Sequence, residues 1–300
     1  MLPSIKVLDI NLFQKVEQSA EFYFNTLQGH LRQSHKHIEH PHRHNFYLIM
    51  YVTKGSGFHD IDFNTYPLKE GSVFFMSPGQ VHSWQLSDDV EGFIFFFSQS
   101  FFDFHYVDLK IKAFPFFASV NFPRLLQLDN KDFSLMKSYF ETLRDETSNQ
   151  NLLKEHMIRN SISNILIQSS RLFLEDEKNL GFAVSSSYLQ TFQEFENLIE
   201  KHFLLNKSVS FYSELLHISS KHLNRISQSV VGLKASEIIA KRTILEVQRM
   251  LVYLDESLGD IAYKLGFEEY PYFTRFFKKH VGHSPSEFLA LHQINYKKES

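Results

Sequence analysis

Hydrophobic positions follow two different rhythms along this chain. From Asn45 to about Ser98, short β-favouring runs alternate with turn signals. FYLIMYVT stops at KGSG, FHDIDF at NTYP, SVFFMS at PGQ and VHSWQL at SDD. Strands separated by Gly- and Pro-marked turns, with little helical periodicity, predict an antiparallel barrel or sandwich. After Pro123 the rhythm lengthens. KDFSLMKSYFETLRDET and NLLKEHMIRNSISNILIQSSRLFLEDE lack Gly and Pro, and Ile158, Ile162, Ile165, Leu172 and Phe173 recur near helical spacing. That stripe has two available partners, the chain's own barrel or the same stripe in a second copy, and the pattern does not choose between them. The polar, small-residue stretch Asp176–Ser187 reads as a linker, which divides a domain at 1–175 from one at 188–300.

The last third says nearly the same thing twice. KHLNRISQSVVGLKASEII from Lys221 aligns with PYFTRFFKKHVGHSPSEFL from Pro271, so that Arg225 falls on Arg275, Gly232 on Gly282 and Glu237 on Glu287. Upstream, SFYSELLHIS pairs with DIAYKLGFEE, each a short amphipathic helix running into a turn. Two copies of a helix, turn, helix unit read as two helix-turn-helix modules in one polypeptide. In the first, a helix from about Val209 to Leu216 should bury Leu215 and Leu216, with Ser219 as N-cap of the next. There Leu223, Ile226 and Val230 form the buried side. Lys221, Asn224, Arg225 and Gln228 form a stripe of side chains suited to base edges and phosphates, with Ser220 and His222 beside them. In the second, Pro271 suits a first helical turn. Phe273, Phe276 and Phe277 should pack inward and leave Tyr272, Thr274, Arg275 and Lys278 outside. Between the copies KASEIIAKRTILEVQRMLVYL reads as one helix. At ~1.5 Å per residue its twenty or so residues span some 30 Å, close to the 34–36 Å between successive major grooves on one face of B-DNA.

The run LLHISSKHLNRI, KRTILEVQRMLVY, DIAYKLGF, YFTRFFKKHVG and SPSEF, in that order and spacing, resembles the DNA-binding domain of the AraC/XylS family of bacterial transcription regulators. Ser213, where the family often has Ala, and Pro271, where Ser is more usual, depart from its pattern. Acidic Glu268 and Glu269 precede the second recognition helix and would repel a nearby phosphate. HPHRHNFYLIMYVTKGSGFHDIDF and PLKEGSVFFMSPGQVHSW resemble the family's cupin-type sensor. The resemblance implies an α+β two-domain fold. A cupin-like antiparallel β-barrel with following helices would precede an all-α domain of two helix-turn-helix units joined by a long helix. It also implies a small-molecule effector, a homodimer formed through the helices after Pro123, operator DNA as partner, and contact with RNA polymerase if the protein activates.

Composition adds limits. The chain has no cysteine, which excludes disulfides and thiol chemistry and suits a reducing cytoplasm. No signal peptide opens it, and GFIFFFSQSFFDF is too short and too interrupted to cross a bilayer. Net charge is −3, so any nucleic-acid affinity must come from local placement of cations rather than from the overall balance. Gly-rich phosphate loops and serine elbows are absent.

Histidines offer the remaining chemistry. His42 and His44 alternate on one predicted strand, and His82 follows the PGQ turn. They are expected to supply polar groups to an effector pocket, with His59 and Trp84 as weaker members; the plain alternative is that they cap strands. A metal-dependent cupin enzyme is the rival class. A carboxylate ligand would then follow the histidine pair, but Leu48 and Ile49 stand there. No metal, cofactor or catalytic residue is therefore expected.

Overall fold

In the computed structural model the described residues are 7–13, 21–38, 41–106, 109–118, 122–178, 186–254 and 256–298. They fall into two compact units, one within 5–181 and one from 182 onward. The linker expected at 176–187 is shorter, because one helix runs to Lys178 and the next starts at Ser186. Its centre, 179–185, lies outside the described residues.

The first unit holds β1 (Val7–Leu8), β2 (Phe22–Thr26), α1 (Leu27–Ile38), β3 (His42–His44), β4 (Tyr47–Lys54), β5 (Ser56–Ile61), β6 (Asn64–Lys69) and β7 (Ser72–Met76). It continues through β8 (Val81–Leu86), β9 (Glu91–Phe97), α2 (Gln99–Asp103), α3 (Pro115–Ala118), β10 (Leu125–Gln127), α4 (Asn130–Ser148) and α5 (Lys154–Lys178). The strands form two five-stranded sheets, ordered β1-β3-β8-β5-β6 and β10-β7-β4-β9-β2. All pairings are antiparallel except β1 with β3. The purely antiparallel expectation is corrected there: the chain leaves through β2 and α1 before returning, and such a crossover is what a parallel pair needs.

Strand β4 is buried from Tyr47 to Val52 on both faces. Leu48, Met50 and Val52 meet Ile61 and Leu68 of the facing sheet, together with Phe74, Met76, Ile94 and Phe96. Ile49 and Tyr51, with Phe75, Phe95 and Phe97, face outward onto Met136, Phe140, Ile158, Ile162 and Ile165 of α4 and α5. This second aromatic layer, with Phe95 and Phe140 rings 5.6 Å apart, accounts for much of the phenylalanine richness. It also settles the partner of the α5 stripe. Ile158, Ile162, Ile165 and Phe173 are buried in their own chain and Leu172 packs beside them, so they are not free to meet a second copy.

The second unit is α6 (Ser186–His202), α7 (Val209–Leu215), α8 (Ser220–Val231), α9 (Ala235–Tyr253), α10 (Leu258–Lys264), α11 (Tyr270–Val281) and α12 (Pro285–Lys298). Helix α9 is the shared spine, packing against α7 and α8 on one side of the repeat and α10, α11 and α12 on the other. The repeated letters prove to be punctuation. Gly232 and Gly282 end α8 and α11 at φ 69° and 87°, left-handed backbone that only glycine adopts cheaply. Glu237 and Glu287 accept the backbone N–H of Lys234 and Ser284, each at 2.7 Å, closing the starts of α9 and α12. Two packing expectations need correction. Helix α7 buries Tyr212 and Ser213, while Leu215 is 43% exposed and Leu216 half-buried. The face of α7 turned toward α8 carries Ser213, whose Oγ lies 2.9 Å from Ser220 Oγ, rather than Leu215. Phe276 is half-buried, lying against Phe267 rather than within the core.

Candidate nucleic-acid interface and sensor site

On α8, Ser219 starts the helix by accepting the His222 N–H at 3.2 Å, which orients the residues that follow. Lys221, Arg225 and Gln228 are exposed along one side. The Arg225 guanidinium donates to His222 Nδ1 at 2.6 Å. Because arginine has no acceptor, His222 must present a bare Nδ1 there. The His222 ring meets Tyr188 edge-on at 5.7 Å, so it is braced from α6. Asn224 behaves differently from the reader expected of it. Its amide donates to Ser220 O at 3.0 Å, and its oxygen accepts the Ala235 N–H at 3.0 Å. The oxygen ties α8 to the start of α9 while the amide bonds back within α8, so both ends of Asn224 are engaged inside the protein. Ser220 is partly withdrawn as well, through Ser213.

On α11, Tyr272, Arg275 and Lys278 are exposed. Thr274 is half-buried and its hydroxyl donates back to Tyr270 O at 3.2 Å. Lys279 and His280 extend the basic end of the helix beside Lys278, a feature absent from α8. Glu268 and Glu269 are exposed just before α11. The structure therefore places Lys221, Arg225 and Gln228 on one exposed helix, and Tyr272, Arg275 and Lys278 on its counterpart.

In the first unit the five aromatic side chains expected to act together do meet. His42 pairs with His82 across β3 and β8, with ring centres 4.3 Å apart. His44 and His59 lie 5.2 and 5.3 Å from His82, and Trp84 lies 4.9 Å from it. His59 Nε2 is 3.1 Å from His82 Nδ1, and His44 Nδ1 donates to Phe46 O at 2.8 Å. His44 Nε2, His59 Nδ1, His82 Nε2 and Trp84 Nε1 are buried without a hydrogen-bond partner. Burial holds the His44 imidazole down to about 3 and pushes those of His59 and His82 well below the ordinary value, with neighbouring histidines adding to the shift. These rings are neutral at physiological pH and can donate or accept, but they carry no charge.

One member of this cluster gave no signal in the sequence. His30 on α1 is buried, hydrogen-bonded to Tyr23 at 3.0 Å and 6.2 Å from Trp84, with its imidazole likewise lowered to about 3 by burial. Nothing in the pattern around it separates α1 from β2, so its inward aim emerges only in three dimensions. Among the described residues no group of three or more His, Cys, Asp or Glu side chains is placed to hold a metal ion. Nor is any helix among them long and apolar enough to cross a membrane.

Comparison with known proteins gives the following. Residues 27–173 match the family model for an AraC-like ligand binding domain, and residues 212–290 match that for a helix-turn-helix domain. YfiF of Bacillus subtilis, described as an HTH-type transcriptional regulator, is 27% identical over 262 residues, covering 84% of this chain and 79% of its own. RhaR of Mannheimia succiniciproducens, an HTH-type transcriptional activator, is 20% identical over 282 residues, covering 92% of this chain and 97% of its own. Among solved structures, ToxT of Vibrio cholerae aligns with 90% of this chain and 98% of its own, at 16% identity and a TM-score of 0.41.

Proposed function

The chain belongs to the AraC family of transcription regulators, ligand-responsive proteins that bind DNA through helix-turn-helix units, and on that premise we propose how its own residues divide the work. Lys221, Arg225 and Gln228 of α8, with His222 holding Arg225, read one major-groove segment. Tyr272, Arg275 and Lys278 of α11 engage the next, with Thr274 at the margin. Ser220 contributes at most through its remaining acceptor capacity, and Asn224 holds the turn instead. Helix α9, at 19 residues, spans ~28 Å, somewhat short of the ~34–36 Å between successive grooves, so the loops at its two ends must supply the remainder. The observation that carries this reading is the recurrence of an exposed arginine at the equivalent position of both copies, Arg225 and Arg275, with exposed Gln228 and Lys278 three residues further on.

A small molecule entering the barrel is the effector, met by the unpartnered ring nitrogens of His44, His59, His82 and Trp84, with His42 and His30 beside them. Such neutral donors and acceptors favour an uncharged polar ligand over a strong anion or cation. Binding shifts the population of states in which the readers can engage an operator. The reading assigns no catalysis to these histidines. Cytoplasmic DNA is the partner, and RNA polymerase is a second one if the chain, like the relatives named as activators, activates. A homodimer would need a surface other than the buried α5 stripe.

Titration of the purified chain with duplex DNA at several salt concentrations tests the proposal. Affinity should fall steeply with salt while a specificity ratio over random DNA survives. Salt-insensitive or wholly nonspecific binding would instead indicate a helical repeat that engages some other partner.

A further inference from the structure

Helix α9 is not the only link between the two helix-turn-helix units. The segment joining α6 to α7 reaches across to the turn of the second copy. Its centre is Lys207. The ammonium donates to Leu204 O at 3.1 Å, in the turn that closes α6, and to Leu265 O at 2.5 Å, at the end of α10. It also lies 4.4 Å above the Phe267 ring. Both carbonyls terminate helical turns, where partial negative charge collects, so one cation serves the end of α6, which packs on the first copy, and the end of α10 in the second. Burial lowers the pKa of this lysine from its ordinary value, so its environment is the protein rather than bulk water.

Two further contacts make the junction close and directed. Gly266, at φ 70°, follows Leu265, and a Cβ placed there would fall 2.5 Å from Leu204 O. The two turns therefore touch backbone to backbone. On the other side, Tyr212 donates to Asn206 O at 2.7 Å, anchoring the segment to α7. Helix α9, packed against helices of both copies, is a single spine about which each copy can still pivot. A second tether at a different point closes a ring and removes that freedom.

Building on the paired-reader proposal above, we propose that Lys207 is a positioning residue that sets the angle between the two units. It thereby fixes the one spacing at which α8 and α11 can engage DNA together. Lys207 is half-buried and its ammonium is engaged by Leu204 O, Leu265 O and the Phe267 ring, so this role differs from base or phosphate contact.

The test uses the full chain and the operator it selects. Three duplexes are compared: both blocks at native spacing, both blocks with one base pair inserted between them, and one block alone. Wild type should lose about tenfold in affinity on insertion, and Lys207→Met should lose no more than about threefold, with single-block affinity kept. Lys207→Arg, which retains charge and donors, should behave as wild type. The proposal is overturned if Lys207→Met keeps the wild-type spacing penalty. It is equally overturned if that variant weakens all three duplexes by one factor, as a folding defect would. Should Lys207→Met not fold, Lys207→Gln is read by the same ratio. If wild type itself ignores spacing, the paired-reader proposal falls first and this one with it.

Discussion

The two units handle polar side chains in opposite ways. In the first, the histidines at 30, 42, 44, 59 and 82 are each no more than 3% exposed and face one another inside a sheet sandwich. In the second, Lys221, Arg225 and Gln228, and then Arg275 and Lys278, stand on exposed helix faces while their scaffolds bury aliphatic and aromatic groups. The difference teaches what each unit is able to sense. Under the proposed function, the neutral buried rings respond to a ligand that enters and satisfies them. Exposed cations respond to a polyanion from outside, at a strength set by salt. A lesser contrast separates the two copies within the second unit. Helix α8 carries a braced arginine, whereas α11 carries a basic end behind an acidic approach, which suits base reading by the first and clamping by the second.

Acid should separate the two units most strongly. His30, His44, His59 and His82 have folded-state pKa values below the ordinary 6.5, His30 and His44 at about 3. Their neutral forms are favoured on folding, so the associated stability is complete above pH 6.5 and is lost as pH falls toward 3. In thermal melts of the full chain at decreasing pH, the transition of the first unit should fall further than that of the second, which loses only its carboxylate caps and ion pairs. Equal movement of both would break the contrast. Next in size, Arg225→Ala should cost about 1–3 kcal/mol on the preferred sequence if it pairs bidentately with guanine, and clearly less on random duplex. Equal loss on both would move Arg225 to the phosphates. Asn224→Ala should cost about 1 kcal/mol in a denaturant titration while leaving sequence preference unchanged, because its oxygen accepts the Ala235 N–H and so joins α8 to α9. A changed preference would return it to the reading face. Smallest is Lys278→Ala, for which the log–log salt slope should shrink by about one with no change in the ranking of sequences.

Much of this was legible from periodicity. The strand-and-turn rhythm from Asn45 to Ser98, the duplication and the unbroken α9 all rest on local pattern, and local pattern was enough. What covers an apolar face is not local. The α5 stripe looked equally fit for a second copy, and only the double burial of β4 and its neighbours shows that the chain's own sheet claims it. Helix α6 buries Phe192, Phe195 and Ile199 at helical spacing, the same local signal carried by the helices that follow it. Asn224 and Lys207 mark a firmer limit. Each is a polar residue on or beside a helix, and each finds its partners across a turn or in the other copy. No spacing within the sequence encodes that meeting.

The central claim is that two reading faces act on one operator, and selection of bound sites from random duplex DNA by the full chain at physiological salt tests it most directly. The expected result is a motif of two short blocks about one helical turn, roughly 10 base pairs, apart. Recovery of a single block, or of no motif at all, would contradict it.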